Sequence, residues 1–277
     1  MNANILKSIR TAGGLLVLIA AGLPILIAAR QISLAAPTTQ HPGQFLSPPY
    51  YGTVRINAVF DHNLPLDNEP AQSQGLVTHY DGIQRPENCA TGDARQCYSG
   101  HNGIDYALRY ELVRAAAVCR VEYAGWYHQT DHRAGYGLYV DVDHTNGFHT
   151  IYGHMSVLRV QTGDTIPANA DEFQRIIARS GNTGWCAGWE GTGPNNRCTD
   201  NDPPTCGAHL HFHVTHNGRV VNPYGWISAA ADPWSQHPNG ATSIDRWVRY
   251  PSITNGDVFP SGAPLIAPPI SENEPGA

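Results

Sequence analysis

Gly207-Ala208-His209-Leu210-His211-Phe212-His213-Val214 is the stretch on which the reading of this chain turns. In an extended strand alternate side chains share a face, so His209, His211 and His213 point one way while Leu210, Phe212 and Val214 point to a core. About a hundred residues earlier stands His101-Asn102-Gly103-Ile104-Asp105. His101 and Asp105, four apart, can share a face whether that segment is a strand or a helical turn. Two imidazoles and one carboxylate make a set of three protein ligands, leaving the fourth position of a tetrahedral zinc open to water. Spacing alone also permits all three histidines of the strand to bind, with Asp105 idle. A further strand-like segment, Thr150-Ile151-Tyr152-Gly153-His154-Met155-Ser156, offers His154 as an acid or base.

His-x-x-x-Asp, then Tyr-x-His-Met-Ser, then Gly-x-His-Leu-His-Phe, in that order, resemble the lysostaphin-type (LytM-like) zinc metallopeptidases. Gly135-Tyr136-Gly137-Leu138-Tyr139-Val140-Asp141-Val142-Asp143-His144 is similar to the family's central hairpin, Gly163-Asp164-Thr165-Ile166 to its turn, and Ser180-Gly181-Asn182-Thr183-Gly184 to its final loop. The resemblance runs from about Gly100 to about Val214. It implies that His101, Asp105 and His211 hold one Zn2+ per chain. It also implies that His154 and His209 are catalytic histidines, which hold water or polarise the substrate without binding metal. The implied substrate is peptidoglycan, cut at peptide bonds in its stem peptides or cross-bridges, by a chain acting as a monomer. Two departures stand out: His213 occupies a place where glutamate is usual, and an insertion separates Gly184 from Gly207. A tyrosine stabilises the transition state in related enzymes; Tyr98 is a candidate, but it sits closer to His101 than is usual.

Most of the fourteen histidines need no such role. His41, His62, His128, His132, His216 and His237 have no motif around them, and His144 and His149 fit packing or hydrogen bonding on the central hairpin. The readings that compete with a peptidase are a wall-binding or activator module without activity, and a lyase using His209, His211 and His213 together. The presence of the full ligand set and both histidines argues against the first, and the idle Asp105 against the second.

The N-terminus reads as an export signal or a membrane anchor over residues 1–36. Lys7 and Arg10 precede an uncharged, mostly apolar run from Thr11 to Ala29, near the lower limit for a span. The rest of the chain is then expected outside the cytoplasm: secreted, in the cell wall, or anchored to the outer face of the membrane. Six cysteines suit an oxidising compartment. Cys89 is expected to pair with Cys97, and one of Cys186, Cys198 and Cys206 with Cys119. A formal charge of −6 with no basic stripe argues against nucleic-acid binding.

With 28 glycines, 21 prolines and only 14% charged residues, the composition suits a loop-rich β protein. Short apolar runs at strand length, separated by Gly, Asn and Asp, predict antiparallel strands. The fold expected is therefore mainly β, a compact antiparallel sheet domain with long loops and little helix. Residues 37–51 read as a linker, 52–250 as the folded domain with a lead-in, and 251–277 as a flexible tail.

Overall fold

The alternation that places three histidines on one face of residues 209–214 recurs along neighbouring strands, and it builds a sheet with one apolar face and one polar face. The computed structural model describes residues 43–63, 76–85, 100–187, 190–193, 197–254 and 259–269. Its elements are β1 (Ile56–Ala58), β2 (Val77–Thr78), β3 (Gln84–Arg85), β4 (Ile104–Tyr106), β5 (Leu112–Arg114), β6 (Cys119–Trp126) and β7 (Leu138–Asp143). There follow β8 (Phe148–Gly153), β9 (Met155–Leu158), β10 (Thr165–Ile166), β11 (Ile176–Ser180), β12 (Leu210–His216) and β13 (Arg219–Val220). A short 3-10 turn at Pro233–Gln236 is capped by Asp232, whose side chain accepts the Trp234 N–H. No helix among the described residues is long and apolar enough to cross a membrane.

The main sheet runs β1-β4-β12-β8-β7-β6-β10, with β13 paired to β12, and every pairing is antiparallel. On its apolar face Ile104, Tyr106, Val140, Val142, Tyr152, Leu210 and Phe212 are fully buried. Apolar burial of this kind, about 25 cal/mol per Å² removed from water, drives the sheet together. A second sheet, β5-β11-β9, packs its Val113, Ile177, Ala178 and Met155 into the same core. The mainly β, antiparallel architecture expected from the sequence is the one observed.

Two stretches that composition alone assigns to linker and tail are instead packed. Leu46 and Tyr50 are fully buried, and Leu46 bridges Trp247, Gly52 bridges Leu265 and Val54 bridges Ile253. The Tyr50 hydroxyl donates to the Ser252 carbonyl (2.8 Å), and Tyr224 stacks on Phe259 with ring centroids 3.9 Å apart. The Pro- and Ser-rich context hides a few large apolar residues that complete the core at long sequence separation. The export segment, Cys89, Cys97, Tyr98 and Trp189 lie outside the described residues.

Candidate metal centre

Sheet register brings the three expected ligands together. Within β12, His211 sits opposite Asp105 of β4 on one side and Gly153 of β8 on the other. The neighbouring residues Leu210 and Phe212 are locked in the core, so a slip of one residue would turn His211 inward. His101 lies just before β4 and reaches the same point. Its Nε2 is 3.1 Å from His211 Nδ1 and 3.3 Å from Asp105 Oδ1, and His211 Nδ1 is 3.0 Å from that oxygen. Among the described residues these form a group of histidine and carboxylate side chains close enough to hold a metal ion.

The fit can be tested on those distances. Nitrogen and oxygen ligands at about 2.0–2.1 Å in a tetrahedron lie roughly 3.3 Å from one another. The three atoms here are 3.0–3.3 Å apart, so one cation can touch all three. The donor set is hard and borderline, without thiolate, which suits a divalent cation such as zinc. Burial disfavours the Asp105 carboxylate, but the charges of His101 and His209 and hydrogen bonds from His101 and His211 outweigh it. They hold its carboxyl well below the usual range.

Three of the clustered histidines share one device. His101 Nδ1–H donates to the Val59 carbonyl (3.1 Å), His154 Nδ1–H to the Thr183 carbonyl (2.7 Å), and His209 Nδ1–H to the Gly207 carbonyl (2.6 Å). A carbonyl only accepts, so the neutral form of each ring carries its lone pair on Nε2. His209 Nε2 then lies 3.5 Å from Asp105 Oδ1, and the His154 and His209 rings are 4.5 Å apart. Burial, reinforced by His209 and His211, pushes His154 well below the ordinary imidazole value, which keeps it neutral. His154 also adopts a left-handed backbone at φ 66°, a conformation that costs a non-glycine residue of order 1 kcal/mol and marks a constrained site.

His213 stands apart from the metal group. Its Nδ1 is 3.1 Å from the Tyr136 hydroxyl, and burial, with His211 and His101 nearby, pushes it down to about 3. The Tyr136 ring also lies 5.4 Å from that of His211. Tyr136 is a residue the sequence placed only in a hairpin; nothing in its spacing marked it as a neighbour of His211. Gly103 has a packing reason of its own, beyond turn formation. A Cβ there would come within 2.5 Å of His211 Cε1 and 2.7 Å of Nε2, so the ring needs that glycine.

The described part of the insertion after Gly184 packs on Arg133 and on Asn182 of the loop before it. Asn182 Nδ2 donates to the Cys206 carbonyl (3.1 Å), Arg133 Nη1 to the Cys198 carbonyl (2.8 Å), and the Arg197 guanidinium covers the Trp185 ring at 4.3 Å. Cys198 and Cys206 lie at disulfide distance, whereas Cys119 and Cys186 are buried and free. The expected pairing of Cys119 with an insertion cysteine is therefore corrected. Cys119 belongs to the main core, while Cys186 clusters separately with Cys198 and Cys206.

An antiparallel sheet with a His–Asp–His cluster beside two further histidines is the arrangement that the sequence resemblance implies. Residues 99–223 match the model of Peptidase family M23, so this segment of the chain is similar to that family. The DD-carboxypeptidase/endopeptidase Mpg of Neisseria meningitidis serogroup B and that of Neisseria gonorrhoeae are each 31% identical over 124 residues. The match covers 44% of this chain and 22% of either relative, so the chain spans under a quarter of their length. Among solved structures, Helicobacter pylori Csd3 is 24% identical with a TM-score of 0.37, covering 68% of this chain and 36% of that one. The catalytic domain of the M23 protein EnpA from Enterococcus faecalis is 19% identical with a TM-score of 0.36, covering 63% and 93%.

Proposed function

We propose that this chain is an extracytoplasmic zinc metalloendopeptidase that hydrolyses peptide bonds in peptidoglycan stem peptides or cross-bridges. The observation that carries the reading is the convergence of His101 Nε2, Asp105 Oδ1 and His211 Nδ1 within 3.0–3.3 Å, with His154 and His209 alongside. One Zn2+ held there would supply a Lewis acid and a water of lowered pKa. The chain's own residues do the rest. His154 and His209, each with Nδ1–H tied to a backbone carbonyl, keep a basic Nε2 free to orient a water, take its proton and return it to the leaving amine. Their fixed rings are preorganised to hydrogen-bond the developing oxyanion once protonated. The wall formed by Trp185 and the Cys198–Cys206 loop would exclude water and select the peptide. The N-terminal segment would deliver the domain across the membrane, by cleavage or as an anchor.

The test is digestion of purified peptidoglycan by the full chain, with and without a chelator, and mass spectrometry of the fragments. Release of fragments with new peptide termini, stopped by chelation and restored by Zn2+, is expected. Zinc binding at one per chain without any bond cleaved would overturn the enzymatic reading in favour of a wall-binding or activator module. A lyase using His209, His211 and His213 finds less support, because the Tyr136 hydroxyl engages His213 while Asp105 contacts both His101 and His211.

A further inference from the structure

The lead-in residues Val59-Phe60-Asp61 lie forty positions before His101, outside the 99–223 span shared with the family, yet they run directly against it. The Val59 carbonyl accepts the His101 Nδ1–H, and the Asp61 N–H donates to the His101 carbonyl at 2.9 Å. Asp61 is 1% exposed, an expensive place for a carboxylate unless it is hydrogen-bonded. Its two oxygens divide the work. Oδ1 accepts the N–H groups of Asn63 and Thr78, both at 2.9 Å, and so shapes the lead-in itself. Oδ2 accepts the N–H of Gly100 at 2.8 Å, the residue immediately before the ligand.

We infer that Asp61 is a positioning residue for His101, and that the metal affinity of this protein is set in part by a segment outside the family span. The carboxylate fixes the backbone on the N-terminal side of His101 while the Val59 carbonyl fixes its ring. Together they leave Nε2 aimed at the cluster before any ion arrives. This rests on the reading of His101 as a zinc ligand.

Asp61→Asn in the full chain separates the two oxygens. Asparagine keeps one acceptor for Asn63 and Thr78 and sets an amide NH2 against the Gly100 N–H; the flipped amide would lose two bonds instead of one. Zinc affinity of the folded variant, measured by chelator competition, should fall roughly 10- to 100-fold, the usual effect of losing a group that orients a ligand. His144→Ala is the comparison, since His144 bonds Val118 and Thr150; it should lower the unfolding temperature and leave zinc affinity unchanged. Hydrogen exchange on the metal-free wild-type chain gives a readout that needs no variant: the Gly100 amide should be protected. Unchanged affinity in Asp61→Asn, an equal loss in His144→Ala, or a freely exchanging Gly100 amide would overturn the inference. A wild-type chain that binds no zinc would instead sink the reading of the site.

Discussion

His62 and His144 on one side, and His101, His154 and His209 on the other, are all inside the same fold, but the protein satisfies them differently. His62 is fully buried, donates from Nδ1 to Asp232 (2.8 Å) and accepts at Nε2 from Asn222 (2.9 Å). His144 likewise bonds the Val118 carbonyl through Nδ1 and Thr150 through Nε2. The three at the candidate metal centre each donate to one backbone carbonyl and face the His–Asp–His cluster with the rest of the ring. His62 and His144 use both nitrogens to hold the fold, whereas these three use one for that and turn the ring toward Asp105 and the neighbouring histidines. The distinction gives burial a meaning, because His62 and His101 are almost equally inaccessible.

The largest effect that could break this contrast comes from His211, whose ring shares the Asp105 oxygen with His101. His211→Ala should abolish both zinc binding and hydrolysis, read by metal analysis and by fragment release. His213→Ala should leave one zinc per chain. Zinc lost with His213 and kept without Asp105 would invert the ligand assignment.

Next come His154→Ala and His209→Ala. Each should retain zinc while turnover falls roughly a hundredfold or more, the scale of a lost acid–base group. Near-normal turnover in both single variants would mean that a free Nε2 does not identify a working histidine here.

His62→Ala should behave in the opposite way. It removes the bond to Asp232, which is left with the Trp234 N–H, and leaves the buried Asn222 Nδ2 without its ring acceptor. Unfolding free energy should therefore drop by about 2–4 kcal/mol. The folded fraction should still bind one zinc. Loss of zinc at unchanged stability would erase the contrast between the two kinds of histidine.

How much of this was legible in the sequence follows the same line. His101, Asp105 and His211 are brought together by strand alternation and register, which the pattern of Leu210, Phe212 and Val214 encodes locally. The second nitrogen of each histidine was not legible, because its partner is a backbone carbonyl: Val59, Thr183 or Gly207. Any residue can supply a carbonyl, so no side-chain motif records it. Asp61 is hidden for a related reason, since all three of its partners are backbone N–H groups. The packed ends were not legible because Leu46, Tyr50, Ile253 and Phe259 stand singly or in pairs in polar, proline-rich company, without the periodicity of a strand. The free Cys119 and Cys186 show the limit of counting cysteines, as pairing depends on which core each side chain enters.

The smallest effect concerns His144, and its sign follows from burial. Burial disfavours the imidazolium and lowers the pKa of His144 in the folded chain; the Val118 carbonyl and Asp143 offset part of this. In the unfolded chain the ring takes up a proton near its ordinary value of about 6.5. Below that pH the unfolded state binds more protons than the folded one, so stability contributed by His144 is present above about 6.5 and is lost as pH falls through the folded value. Replacement by Gln, which cannot titrate, should flatten this part of the stability–pH curve relative to wild type, even if it lowers stability at every pH. Denaturant unfolding of the metal-free protein from about pH 7 to 5 reads the slope directly. Equal slopes in the two proteins would show that His144 is not held neutral, and would remove one of the two fold-holding histidines from the comparison.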